Sequence, residues 1–160
     1  MINFDLLFYV RFIINCFWLM EERDYYLQQQ TEKLGEKLNS MSSYIAEFTD
    51  EEKINKGFDL INQDLLEYLN LDLDEIINIQ LDHFIATITV DSIMDNVNLD
   101  SFANLLFHIA KTYSILEDKE TAKRLFHRSL IVYKFLLKIE TDFPYERHLR
   151  IQELSEILLK

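Results

Sequence analysis

Glycine and proline are nearly missing from this chain: two Gly and one Pro stand among 160 residues. Average usage predicts about 11 and 8. Folds built from strands and tight turns need those residues for left-handed corners and rigid bends. Their scarcity excludes such folds as the simplest reading and predicts an all-α chain. Cysteine is as scarce, with Cys16 alone. One thiol closes no intramolecular disulfide and founds no multi-thiolate metal site, and it fits a reducing compartment. Basic charge is short as well. Sixteen Lys and Arg face 28 Asp and Glu, a net charge of −12. An acidic body repels nucleic-acid phosphates and anionic lipid surfaces, so neither is expected as a partner.

What is present is apolar surface, at 49% of residues, enough to exclude general disorder. The charge is uneven. Residues 1–100 hold 20 acids and 6 bases, whereas residues 101–160 hold 8 and 10. The first 20 residues are apolar but interrupted by Asp5 and Arg11, with no small-residue cleavage site after them. This pattern predicts neither a cleaved leader nor a membrane span, and places the chain in the cytoplasm. Phe4–Met20 reads as one helix with Asn3 as candidate cap. It is apolar on nearly every side, which suits a core helix, a dimer interface or a membrane-surface helix.

A more polar helix is expected over Glu21–Phe48, with Gly35 marking a break. Thr49 and Glu52 form a capping box for the next helix, through Leu69. Asp72 and Glu75 form another, for a helix through Ile88. The β-branched run Ile85–Val90 has strand propensity, but a lone strand has no partner, so helix is kept. Residues 91–98 read as irregular. Asp100 caps a helix to Leu116, Glu117–Asp118 turns the chain, and a second helix covers Lys119–Ile139. Pro144 opens a final helix that ends near Leu159.

The most specific pattern lies in this hairpin. Leu106, Ile109, Ala110, Tyr113, Ala122, Phe126 and Ser129 alternate large and small residues at spacings that let two antiparallel helices approach closely. The segment of about 103–136 resembles a tetratricopeptide repeat of roughly 34 residues. It departs from that pattern mildly: Leu106 stands where Trp is common, Glu117 where Gly often turns the chain, and no Pro closes the unit. A shift of 34 residues either way finds no second copy, since Asp72 and Glu140 would fall at the first large position. The arrangement of helices also resembles a small uncharacterised bacterial family, through Leu71–Asp72–Leu73 and the Tyr113-to-Ala122 segment, while the N-terminal quarter departs from it. That likeness implies no known activity.

The tetratricopeptide resemblance implies a binding groove on the first helix of the hairpin, where Asn104, Phe107, His108 and Lys111 are the candidate partner-binding residues. Related proteins clamp peptide carboxylates with Lys and Asn there, but one unit cannot complete that clamp. Lys119, Lys123, Arg124, Arg128, Lys134 and Lys138 make the second helix basic on its outer side. This suits either a solvated face paired with the acidic body or a dock for an acidic partner. No catalytic or metal constellation is found. His83, His108, His127 and His148 have no ligand at helical spacing. Cys16 has no base beside it and is expected to be a buried, inert thiol, and Asp72, Asp74 and Glu75 fall short of a calcium loop.

These observations predict an all-α helical bundle or short tetratricopeptide-like array of about six to seven antiparallel helices. The chain would form one domain over 1–160, with acidic helices over 1–98 and the hairpin plus a capping helix over 99–160. The function expected is a non-catalytic protein–protein interaction or scaffold module with no cofactor. Its partners would be a protein or peptide, and a homodimer could form through Phe4–Met20. Two alternatives stay open: a helical regulator sensing a small peptide or metabolite, and an enzyme whose site follows no familiar motif.

Overall fold

A computed structural model describes residues 4–47, 50–90, 93–141 and 144–159, and the side chains of these except 4–12, 14 and 15. Seven helices and no strand occur among them: α1 Phe4–Ala46, α2 Glu51–Leu69, α3 Leu73–Asn78, α4 Leu81–Ile88, α5 Asn96–Ile115, α6 Lys119–Ile139 and α7 Tyr145–Leu158. The all-α expectation holds, and α6 has the bounds read from the sequence.

The hairpin of α5 and α6 is the centre of the core. Phe102, Ala103, Leu106, Ile109 and Ala110 on α5 are buried against Ala122, Leu125, Phe126 and Ser129 on α6. The Ser129 hydroxyl donates to the Ala103 carbonyl at 2.7 Å, and the Phe107 and Phe126 rings lie 5.7 Å apart. These contacts set the antiparallel register, and the small residues at Ala103, Ala110, Ala122 and Ser129 allow it. Glu117 makes the turn at φ 62°, a left-handed conformation that glycine adopts without strain. Asp118 then caps α6 by accepting from the Thr121 amide. The Thr121 side chain and amide hold the Asp118 carboxyl below its ordinary range.

Other elements correct the reading above. No break occurs at Met20 or Gly35; α1 is continuous for 43 residues. Gly35 instead admits a close neighbour, because a Cβ there would stand 2.7 Å from Asn98 Oδ1. The Asn98 amide crosses from α5 and donates to the carbonyls of Thr31 and Ile93, at 2.9 and 2.7 Å. Asp50, not Thr49, caps α2; Asn3, Phe48 and Thr49 lie outside the described residues. The Asp72–Glu75 box forms as expected. The helix it starts ends at Asn78, and α4 begins only at Leu81.

The side chain of Arg128 sits at that break. Arg128 is not on the outer basic face of α6 but buried, 4% exposed. Its guanidinium donates to the carbonyls of Ile76 and Ile79, at 2.5 and 2.8 Å, and lies over the Phe84 ring. It thereby satisfies carbonyls left at the end of α3. Asp100 does not cap α5 either. Asp95 does, through the Asn98 amide, so the helix starts five residues earlier than read.

The packing of α1 and α7 on the hairpin is more regular than the sequence suggests. Thr31 meets Asn98, and Asn39 faces Ser101 and Asn104, so α1 runs parallel to α5. On the other side Arg147 meets Asp100, Arg150 meets Phe107, and Lys111 meets Glu153, so α7 also runs parallel to α5. Helix α2 returns antiparallel along α1, tied by Lys37 to both oxygens of Asp64 at 3.0 Å. Phe58 of α2 stacks on Tyr113 of α5, centroids 4.8 Å apart. The fold thus sets two antiparallel pairs side by side, with α7 as a further half-unit.

Candidate functional site

Three parallel helices leave a cleft of about 350 Å³ along their side. Asn39 comes from α1; Asp100, Ser101 and Asn104 come from α5; Arg147 and Arg150 come from α7, with Pro144 and Glu146 at its mouth. Tyr133 reaches in from α6 and closes the floor, 3% exposed. Helical spacing explains the convergence. Residues 100, 101 and 104 share one face of α5, as 147 and 150 share one face of α7.

The cleft is polar and internally paired. Arg147 bonds Asp100 at 2.8 Å and also Glu140 at the end of α6. Arg150 bonds Glu153 at 2.7 Å, and its guanidinium lies 4.0 Å from the Phe107 ring centre. Burial, with Asp100 nearby, pushes the Tyr133 hydroxyl well above its ordinary range, although Arg150 opposes this. The phenol therefore stays a neutral donor and acceptor. Asn39 and Asn104 add amide groups on two neighbouring helices. Amides, a hydroxyl and paired guanidiniums can hydrogen-bond an extended peptide backbone or a small polar molecule.

The four candidates from the sequence are brought together but do not play the same part. Asn104 lines the cleft. Phe107 is fully buried, so it is not an open groove residue. It is the apolar floor over which Lys111 Nζ and Arg150 lie, at 4.4 and 4.0 Å from its centre. Lys111 reaches Glu153 at 3.5 Å. His108 sits edge-on to Phe107, and burial, then Arg150 and Lys111, hold its pKa below the ordinary value. Asn39, Ser101, Tyr133, Arg147 and Arg150 were missed. The i, i+3 spacing of Arg147 and Arg150 was visible in the sequence, but nothing there said that α7 would lie beside α5.

A second concavity of about 410 Å³ opens at the far end of the hairpin, lined by Ala122, Phe126, Ile157 and Leu158 with Lys119 and Lys123 at its rim. No group of three or more His, Cys, Asp or Glu side chains that could hold a metal ion occurs among the described residues. No described helix is long and apolar enough to cross a membrane. No protein-family profile, curated protein or solved structure matches the chain.

Proposed function

We propose that this protein is a non-catalytic interaction module of tetratricopeptide type, and that the cleft between α1, α5 and α7 receives a peptide segment of a partner protein. The observation that carries the reading is the parallel alignment of three helices that present Asn39, Asn104, Arg147 and Arg150 to one cleft. Amides spaced along neighbouring helices suit the repeating donors and acceptors of a peptide backbone. Arginines whose carboxylate partners sit on the same body suit a ligand that can exchange for those partners. The large-and-small pattern of the α5–α6 hairpin supports the family reading. The lone thiol at Cys16, which is exposed and not buried as the sequence reading expected, supports a reducing compartment such as the cytoplasm.

The test is selection of peptides on the full chain from a random displayed library, followed by calorimetry with Asn39→Ala, Asn104→Ala and Arg150→Met. Each substitution should weaken a selected peptide by 10-fold or more, about 1.4 kcal/mol, with thermal stability little changed for the two asparagines. Peptides whose affinity ignores all three substitutions would sink the reading. A cleft that selects no peptide, but whose thermal midpoint rises with a small polar metabolite, would move it to the sensor alternative.

A further inference from the structure

From Ile13 to Tyr26 every described side chain of α1 is exposed. Phe17, Trp18 and Leu19 are 67%, 64% and 66% exposed. The segment stands clear of the body that α1 enters at Thr31, and this excludes the core reading for its described residues. The exposed stretch carries a pattern shared with the buried one. Leu34, Leu38, Met41 and Ile45 are the α1 residues buried in the core, at alternating spacings of four and three. The same alternation runs back through Thr31, Leu27, Asp24, Met20, Phe17 and Ile13. In the sequence it continues to Val10 and Leu6. A four-three repeat sustained over this length marks a seam for another helix, whereas a membrane-surface helix needs no such period.

We infer that the Phe4–Gln30 arm of α1 pairs with the same arm of a second copy, antiparallel, along the Ile13–Phe17–Met20 seam. Two arguments fix the occupant and its direction. The exposed Ile13, Phe17 and Met20 continue the same four-three series as the buried core positions, so an identical arm presents a matching apolar repeat to it. A parallel, in-register pair would set Asp24 against Asp24 within the seam and hold the acidic bodies of two chains, each chain of net charge −12, side by side. The antiparallel pair brings the Asp24 end of one arm to the Arg11 end of the other and puts the acidic bodies at opposite ends. This pairing is independent of the peptide cleft, which lies at the other end of α1.

Light scattering on the full chain should give twice the 19.2 kDa chain mass. Phe17→Asp with Met20→Lys should halve that mass and leave the thermal midpoint of the body unchanged, because these side chains are exposed and lie outside the hydrophobic core. Tyr26→Lys, off the seam, should leave the dimer intact. Direction is read by a spin label on Gln28→Cys in a Cys16→Ser background. Antiparallel arms set the two labels roughly 30–40 Å apart along the axis at 1.5 Å per residue, and parallel arms set them under about 20 Å. A wild-type monomer, including one that instead floats with lipid vesicles, would overturn the proposal. So would a dimer indifferent to the seam variant, or labels at the short distance.

Discussion

Gly35 and Asn98 show how one residue pair sets a helix crossing. The missing side chain at Gly35 makes room for the Asn98 amide, whose two donated bonds tie α1 to the start of α5. Gly35→Ala should gain up to about 1 kcal/mol of helix propensity. It should lose more, on the order of 1–3 kcal/mol, by driving a buried amide from its carbonyl partners. The expected net effect is a lower denaturation midpoint. In an Asn98→Ala background the same substitution should become stabilising, and a double-mutant cycle by urea denaturation reads that sign change. Arg128 follows the same logic of burial with full satisfaction. Its charge is met by the Ile76, Ile79 and Arg124 carbonyls. Reading it as a surface base failed because spacing places a residue on a helix face without saying what packs there.

Among the elements, the α5–α6 hairpin depends on local rules throughout. Small residues sit at the close approach, an aspartate caps α6, and a left-handed residue makes the turn. Glu117 is the one poor fit, since its φ of 62° suits glycine. Glu117→Gly should stabilise the chain by roughly 0.5–1 kcal/mol, measured as a higher urea midpoint with an unchanged slope. A loss would mean that the turn is held by the Glu117 side chain rather than tolerated by it. Helices α3 and α4 lie at the other extreme. Their sequence supports one helix from Asp72 to Ile88; the chain instead breaks after Asn78, where the guanidinium of Arg128 meets the Ile76 and Ile79 carbonyls.

For the molecule as a whole, burial is uneven, and this bears on how the cleft works. Helix α5 lies between α1, α6 and α7 and buries ten residues; α7 buries only Leu154. The wall that carries Arg147 and Arg150 is therefore held mainly by ion pairs and by partly buried Ile151, Ile157 and Leu158. Amides of α7 should exchange with deuterium on the order of 100-fold faster than those of Phe102–Ala110, as expected where few apolar contacts oppose local opening. Equal protection would show that α7 unfolds only with the core. A loosely held wall would suit the proposed peptide cleft, whose internal ion pairs would give way to contacts with the peptide.

Composition and periodicity by themselves determined the all-helical class, most helix bounds and the close-packed hairpin. The first two rest on interactions within a few residues of one another, namely caps, turn conformation and the helical repeat of apolar positions, and the hairpin was legible because its two helices are joined by a short turn. The tertiary structure alone decided which faces meet. It laid α1 and α7 parallel to α5, so that Asn39, Asn104, Arg147 and Arg150 share a cleft, and it buried Phe107 and Arg128. It also left Phe17 and Trp18 in solvent. The physical reason is that apolar spacing reports that a face will be covered, while its partner is set by shape and hydrogen bonds between segments far apart in the chain.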